Sequence, residues 1–330
     1  MRYRKFGKTG WDVSEVGFGC WGMGGGWGVQ DDVQAKAALQ RALELGVNFF
    51  DTAYVYGDGH SERLLGEVMR QTNRPVKVAT KVPAKNMEWP ANPKTPVSTA
   101  YPTDWIIRCT ETSLKRLGLE RIDLQQLHVW TDSWVGADEW RRAVETLKRD
   151  GKIRAFGVSV NDNQPDSVLQ LVATGEVNSV QVIYNVFEQA PAQKLFPLCQ
   201  ERGVGVIVRV PFDEGSLTGA FTRQTQFPKG DWRAGYFRGE RLAETCERVD
   251  RLKAFLRPGI PSLSALALKF VLAHPAVSTV IPGMRRPAHV DANCAVSAPV
   301  GVNGKTLTPQ ELSALREHAW QRNFYAGAWD

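Results

Sequence analysis

Four side chains in the first half of the chain form a set able to move a proton: Asp51, Tyr56, Lys81 and His128. A free tyrosine titrates near ~10, too high for easy proton exchange at neutral pH. A neighbouring ammonium favours the phenolate and lowers that value. A carboxylate paired with the lysine holds it charged and in place. A nearby histidine orients a carbonyl oxygen or relays the proton. Such a set suits reduction of a carbonyl, with hydride from a nicotinamide and the proton from Tyr56. Taken singly, each residue has a plainer reading: Lys81 on the surface, His128 as a satisfied core histidine, Tyr56 as packing.

The placement of the set argues against coincidence. Eight short apolar runs cross the chain: VGFG (16–19), VNFF (47–50), VKVAT (76–80), DLQQL (123–127), IRAFGV (153–158), SVQVI (179–183), VGVIV (204–208) and VSTVI (277–281). Asp51 follows the second, Lys81 the third and His128 the fourth. Ser159 and Asn161 follow the fifth, Gln181 lies inside the sixth, and Arg209 follows the seventh. Nearly continuous apolar runs are expected of parallel strands buried on both faces. Helical patterns separate them, over 31–46, 61–71 with Ser61 as N-cap, 102–119, 137–151, 165–175, 191–203 and 262–274. Eight strands alternating with helices predict one closed (β/α)8 barrel domain over residues 1–330. In such barrels chemistry sits at the C-terminal strand ends, where these polar residues fall.

Three segments stand outside the alternation. Residues 1–13 read as a hairpin turned at Gly7–Gly10, a lid for the barrel floor. A Pro-rich loop (83–101) follows the third strand and a long loop (210–240) the seventh. Both leave C-terminal strand ends, so both are expected to wall the active site. The tail WQRNFYAGAWD is either a further wall or a strip packed on the surface.

Composition narrows the function classes. The net charge is +6 and the pI near 9.1, with Lys and Arg spread along the sequence. No basic run or DNA-binding motif points to nucleic acid, and no stretch approaches the ~20 apolar residues of a membrane span. The five cysteines show neither CxxC nor metal spacing, so no metal site is expected and reduced thiols in a cytoplasm fit best. GFGCWG (17–22) matches G-x-G-x-x-G, but more glycines follow and the first helix starts only near Asp31. A dinucleotide fingerprint needs that helix at once. The motif reads better as a Gly-rich loop over the barrel mouth. A stronger anion signal is VSTVIPGMRRPAHVDAN (277–293): a strand, a turn at Gly283, Arg285 and Arg286, then a helix from about Pro287. Helix N-termini bind phosphate, and barrels favour this place for it.

Taken together these stretches resemble the aldo-keto reductase family. NFFDTAYVYGDGHSERLLGE is similar to its first signature, carrying Asp51 and Tyr56. VATKV resembles the segment of its catalytic lysine, here Lys81, and LQQLHVW that of its histidine, here His128. The resemblance implies that Ser159, Asn161 and Gln181 contact the nicotinamide amide. It implies that Gly22 and the loop residues Pro211, Gly215 and Leu217 border the cofactor, and that Gly283, Arg285, His289 and Asn293 hold its adenosine phosphate end. Where many members stack a tyrosine on the nicotinamide, this chain has Arg209, whose guanidinium can stack flat. Two usual phosphate-binding cations are replaced by Gly283 and His289, leaving Arg285 or Arg286 to grip a 2′-phosphate.

The expectation is an NADPH-dependent reductase of a small aldehyde or ketone, with NADH possible. Trp21, Tyr54, Trp89, Trp130 and Phe212 are candidate pocket walls. Asp213 and Glu214 are placed to bind hydroxyls, which keeps a sugar or alcohol dehydrogenase as the alternative. A non-catalytic nicotinamide-sensing module fits less well, because the tetrad is intact. A racemase or aldolase is disfavoured by the carboxylate partner of Lys81.

Overall fold

In the computed structural model, which describes residues 1–25, 31–298 and 307–326, all eight apolar runs contribute strands to one parallel sheet. The strands are β1 (Phe18–Gly19), β2 (Phe49–Asp51), β3 (Lys77–Val82), β4 (Ile122–Leu127), β5 (Ile153–Ser159), β6 (Ser179–Ile183), β7 (Gly205–Arg209) and β8 (Val277–Val280). Neighbours pair in chain order. Parallel bridges from Val16 to Val280 and from Gly19 to Gly283 bring the first strand onto the last and close the barrel. A Cβ at Gly19 would lie 2.5 Å from the Ile281 carbonyl oxygen. The approach of β1 to the end of β8 therefore depends on a missing side chain.

Asp51 and Lys81, expected just past their strands, are the last residue of β2 and the last but one of β3. Both are thereby held by a ladder rather than by a loop. Ser61 is not an N-cap. The helix runs His60–Met69 after Gly59, whose φ of 77° makes the turn. The Ser61 hydroxyl is buried instead, donating to the Cys20 carbonyl at 3.1 Å and sharing a hydrogen bond with Thr52 at 2.9 Å. The pattern over 165–175 splits into a 3-10 turn and a short helix, Leu169–Thr174, and that over 191–203 becomes helical only at Leu195–Arg202. Four helices escaped the apolar periodicity: the single turns Val97–Ala100 and Arg233–Tyr236 inside the two long loops, Arg241–Leu252, and Pro309–Arg316 with a Thr308–Glu311 capping box.

The N-terminal hairpin pairs Tyr3–Lys5 with Asp12–Ser14. Its Phe6 and Val13 join Phe49, Ala79, Leu124, Ala155, Ile207 and Ile281 in one buried cluster that fills the lower barrel. The opposite end is left for the site.

Candidate active site

The tetrad converges as its strand positions require. Lys81 is fully buried; its Nζ donates to Asp51 Oδ1 at 2.5 Å, the Thr52 carbonyl at 2.7 Å and Tyr56 OH at 3.2 Å. The other oxygen of Asp51 accepts from Gln126 at 3.1 Å and Gln181 at 2.8 Å. A buried charge needs this degree of satisfaction to be tolerated. The His128 ring meets Tyr56 edge-on, with centroids 5.7 Å apart.

Electrostatics assign protonation states. Burial works against the Lys81 charge, but Asp51 and the phenol outweigh it and hold the ammonium above its ordinary range. Burial pushes Tyr56 up; Lys81 pulls the other way without prevailing. The expected net lowering of the phenol is thus corrected: full desolvation outweighs one paired ammonium. Burial, then Lys81 and Arg209, drive His128 well below the ordinary imidazole range, so its ring is neutral.

These groups open onto a cavity of about 530 Å³. The loops after β3 and β7 wall it, through Met87 and Trp89 on one side and Phe212 and Glu214 on the other. The tail supplies a further wall: Tyr325 lines the cavity and donates to Glu214 at 2.5 Å. Trp329 of the tail lies outside the described residues.

The structure divides the sequence candidates. Trp21, Trp89 and Phe212 line the cavity, as do Ser159, Gln181, Arg209, Pro211, Gly215 and Gly283. Trp130 does not: it is fully buried, edge-on to Trp134 and Trp140, where a large ring completes the outer core. Tyr54 faces outward, with the Arg116 guanidinium 4.3 Å from its ring centroid and Trp105 beside it. The Asn161 amide is turned onto the loop after β3, accepting from Ala91 N at 3.0 Å and donating to Ala91 O at 3.2 Å. Leu217 belongs to the apolar core. Asp213 is no open hydroxyl binder: it is paired with Arg322 and accepts from Ser216 and Tyr236. Arg285, Arg286 and His289 gather around the start of the helix Pro287–Cys294, which also carries Asn293. Burial depresses Arg285 and His289; the charges of Arg233 and then Arg286 add to it at Arg285, and those of Arg286 and Arg285 at His289. Gly22 lies against Arg285, whose Cδ would be 2.9 Å from a Cβ there.

Glu214 and Tyr325 were legible only as a loop carboxylate and an ambiguous tail aromatic. Asp162 escaped notice altogether. It also lines the cavity, accepting from Trp89 Nε1 at 2.7 Å and Arg209 NH2 at 2.7 Å. Its only sequence signal was its place beside Asn161.

The sequence pattern of the Aldo/keto reductase family matches residues 15–318. The chain belongs to this family. Among curated proteins it is 30% identical to an uncharacterized oxidoreductase of Bacillus subtilis, over 97% of each chain. It is 28% identical to an NADP(+) aldo-keto reductase of Schizosaccharomyces pombe, over 88% of this chain and 85% of the other. Identity to the NADH-specific methylglyoxal reductase of Escherichia coli is 27%, over 97% and 98%. Two solved structures are similar. The holo aldo-keto reductase AKR11C1 of Bacillus halodurans gives a TM-score of 0.74 at 28% identity, over 97% of this chain and 96% of that one. The glycerol dehydrogenase AKR11B4 of Gluconobacter oxydans gives 0.78 at 29%, over 96% and 94%. Family membership makes the chain an oxidoreductase of the kind that uses nicotinamide cofactors on small molecules. Among the described residues no helix is long and apolar enough to cross a membrane, and no group of side chains is arranged to hold a metal ion.

Proposed function

We propose that this chain is a single-domain, cytoplasmic NADP(H)-dependent reductase of small aldehydes or ketones, with Tyr56 as proton donor. One observation carries the reading: the Lys81 ammonium stands between Asp51 and the Tyr56 hydroxyl, and that hydroxyl faces the cavity beside a neutral His128. Tyr56 stays protonated until a carbonyl oxygen gains charge, and Lys81 then stabilises the phenolate left behind. A neutral His128 donates one N–H to that oxygen without competing as an acid. Five buried free thiols are consistent with a reducing compartment.

The residues fit a dinucleotide. Among the described residues, Arg209 Nε is a buried donor without a partner, in a side chain on the cavity wall. The crowded cations at the N-terminus of Pro287–Cys294 gain from an anion that relieves their repulsion. Ser159, Gln181 and Arg209 would flank the nicotinamide, and Arg285 and Arg286 would take the 2′-phosphate, with His289 and Asn293 nearby. When bound, the cofactor supplies the hydride. Gln181, with its amide nitrogen on Asp51, would offer its carbonyl oxygen to the carboxamide.

The same residues run in reverse oxidise an alcohol or sugar, and likeness to the glycerol dehydrogenase favours that second reading. Parallel tryptophan-fluorescence titrations with NADPH and NADH, followed by turnover of 4-nitrobenzaldehyde and of glycerol with NADP⁺, test both. NADPH binding at least about tenfold tighter than NADH, the scale of one lost phosphate contact, is expected. Equal or NADH-favouring binding removes the arginine clamp from the proposal, and no binding of either nucleotide sinks it.

A further inference from the structure

Asp162 lies just beyond the end of β5 and spends its two carboxylate oxygens on two different walls of the cavity. Trp89, from the loop after β3, donates its indole N–H to Oδ2 at 2.7 Å. Arg209, at the end of β7, donates to Oδ1 at 2.7 Å and also to the Val160 carbonyl at 2.9 Å. The Asp162 side chain is 7% exposed, so these are buried, charge-assisted bonds. Its neighbour Asn161 grips the same loop through the backbone of Ala91.

What the two donors touch gives the arrangement its meaning. The Trp89 ring stands edge-on to His128, with centroids 5.1 Å apart and planes at 88°. Trp89 is nevertheless 39% exposed, and an indole so open keeps one rotamer only if something holds it. Arg209 reaches the other flank, where its charge acts on Tyr56 and His128. One carboxylate therefore fixes both the ring over His128 and the guanidinium proposed to lie along the nicotinamide.

We infer that Asp162 is a positioning residue that couples the substrate wall at Trp89 to the cofactor wall at Arg209, so that filling one side is felt at the other. The inference rests on the functional reading above. It explains why an aspartate suits the position. A carboxylate accepts from two N–H donors on separate oxygens, whereas the amide of an asparagine accepts on one side only and opposes the second donor with its own N–H.

The test uses the full chain with nitrogen-15 in its eleven indoles, the Trp89 resonance being identified by its loss in Trp89→Phe. In the wild type, NADPH is expected to shift the Trp89 indole signal. In Asp162→Asn that signal is expected to stand displaced before any nucleotide is added, and to ignore NADPH. With 4-nitrobenzaldehyde, Asp162→Asn and Trp89→Phe should each raise KM about tenfold, the size of one lost charge-assisted hydrogen bond. Adding Asp162→Asn to Trp89→Phe should then weaken NADPH binding without raising KM again. An unmoved indole signal in Asp162→Asn, or KM effects that multiply in the double variant, overturns the coupling. A wild type that binds no nucleotide overturns the functional reading and the coupling with it. An unmoved indole beside normal NADPH binding overturns the bridge alone.

Discussion

Arg322 of the C-terminal tail and Asp213 of the loop after β7 form an ion pair almost sealed from solvent, their side chains 7% and 4% exposed. Val210, Asp213 and Glu214 take φ values of 54°, 47° and 54°, in the left-handed region that such side chains rarely adopt. The tail touches two of the three, Arg322 pairing with Asp213 and Tyr325 donating to Glu214. Arg322→Ala leaves a buried carboxylate short of its cation and is expected to cost about 3–5 kcal/mol. Thermal melts check this. Asp213→Asn in the same background should recover part of the loss, and a melting point unchanged by Arg322→Ala would show that the pair holds nothing.

Glu214 gives the latch a pH dependence. Burial, against the Tyr325 hydrogen bond, pushes its carboxyl up to about 7. That lies above the unfolded value of ~4.3, so the folded protein holds the proton more tightly. The associated stability is full below the unfolded value and is lost as pH rises through about 7. Unfolding free energies from urea titrations should fall between pH 5 and 8 by up to ~3 kcal/mol more in the wild type than in Glu214→Gln. Parallel declines in both proteins would remove Glu214 as the cause.

Tyr56→Phe removes the proposed proton donor while keeping its ring beside Trp21 and His128. Turnover of 4-nitrobenzaldehyde is expected to drop by about 10²–10⁴-fold, the usual worth of a positioned acid. The NADPH dissociation constant should stay within about twofold, since the hydroxyl is assigned to proton transfer rather than to holding the nucleotide. Lys81→Met should do comparable damage to kcat, since the phenolate then forms without its ammonium. Near-normal turnover in either variant contradicts the assigned roles.

Gly66 tests packing rather than chemistry. A Cβ there would run into the Leu117 carbonyl oxygen, where the helices His60–Met69 and Thr103–Leu117 meet backbone against backbone. Neither backbone can yield cheaply. Gly66→Ala is expected to destabilise by roughly 3 kcal/mol. A denaturation curve reads this directly, and activity per folded molecule should be unaltered.

Legibility from sequence followed a physical divide. The barrel was readable because strands buried on both faces are mostly apolar, and seven of the eight runs left that mark plainly, while DLQQL, with buried Gln125 and Gln126, was the faintest. Asp51, Lys81 and His128 were readable in position because strand ends fix where a side chain stands, whereas Tyr56, in the turn after β2, was placed only by its spacing from Asp51. The pocket walls were harder. Trp130 and Trp89 look alike in sequence, and only packing sends one into the core and the other over His128. The bridge through Asp162 joins residues 73 and 47 positions away, a separation that no local periodicity records. Asp213 looked available to a substrate until the tail folded back to claim it.

That return of the tail sets two things apart along the chain. All eight strands, the hairpin under them and the proposed proton-transfer set lie before Ala319; beyond it come Tyr325 of the cavity wall and Arg322, the cation of Asp213. The last described residues thus carry part of the cavity's shape far along the chain from the groups proposed to do the chemistry, and substitutions there act on fit and stability together.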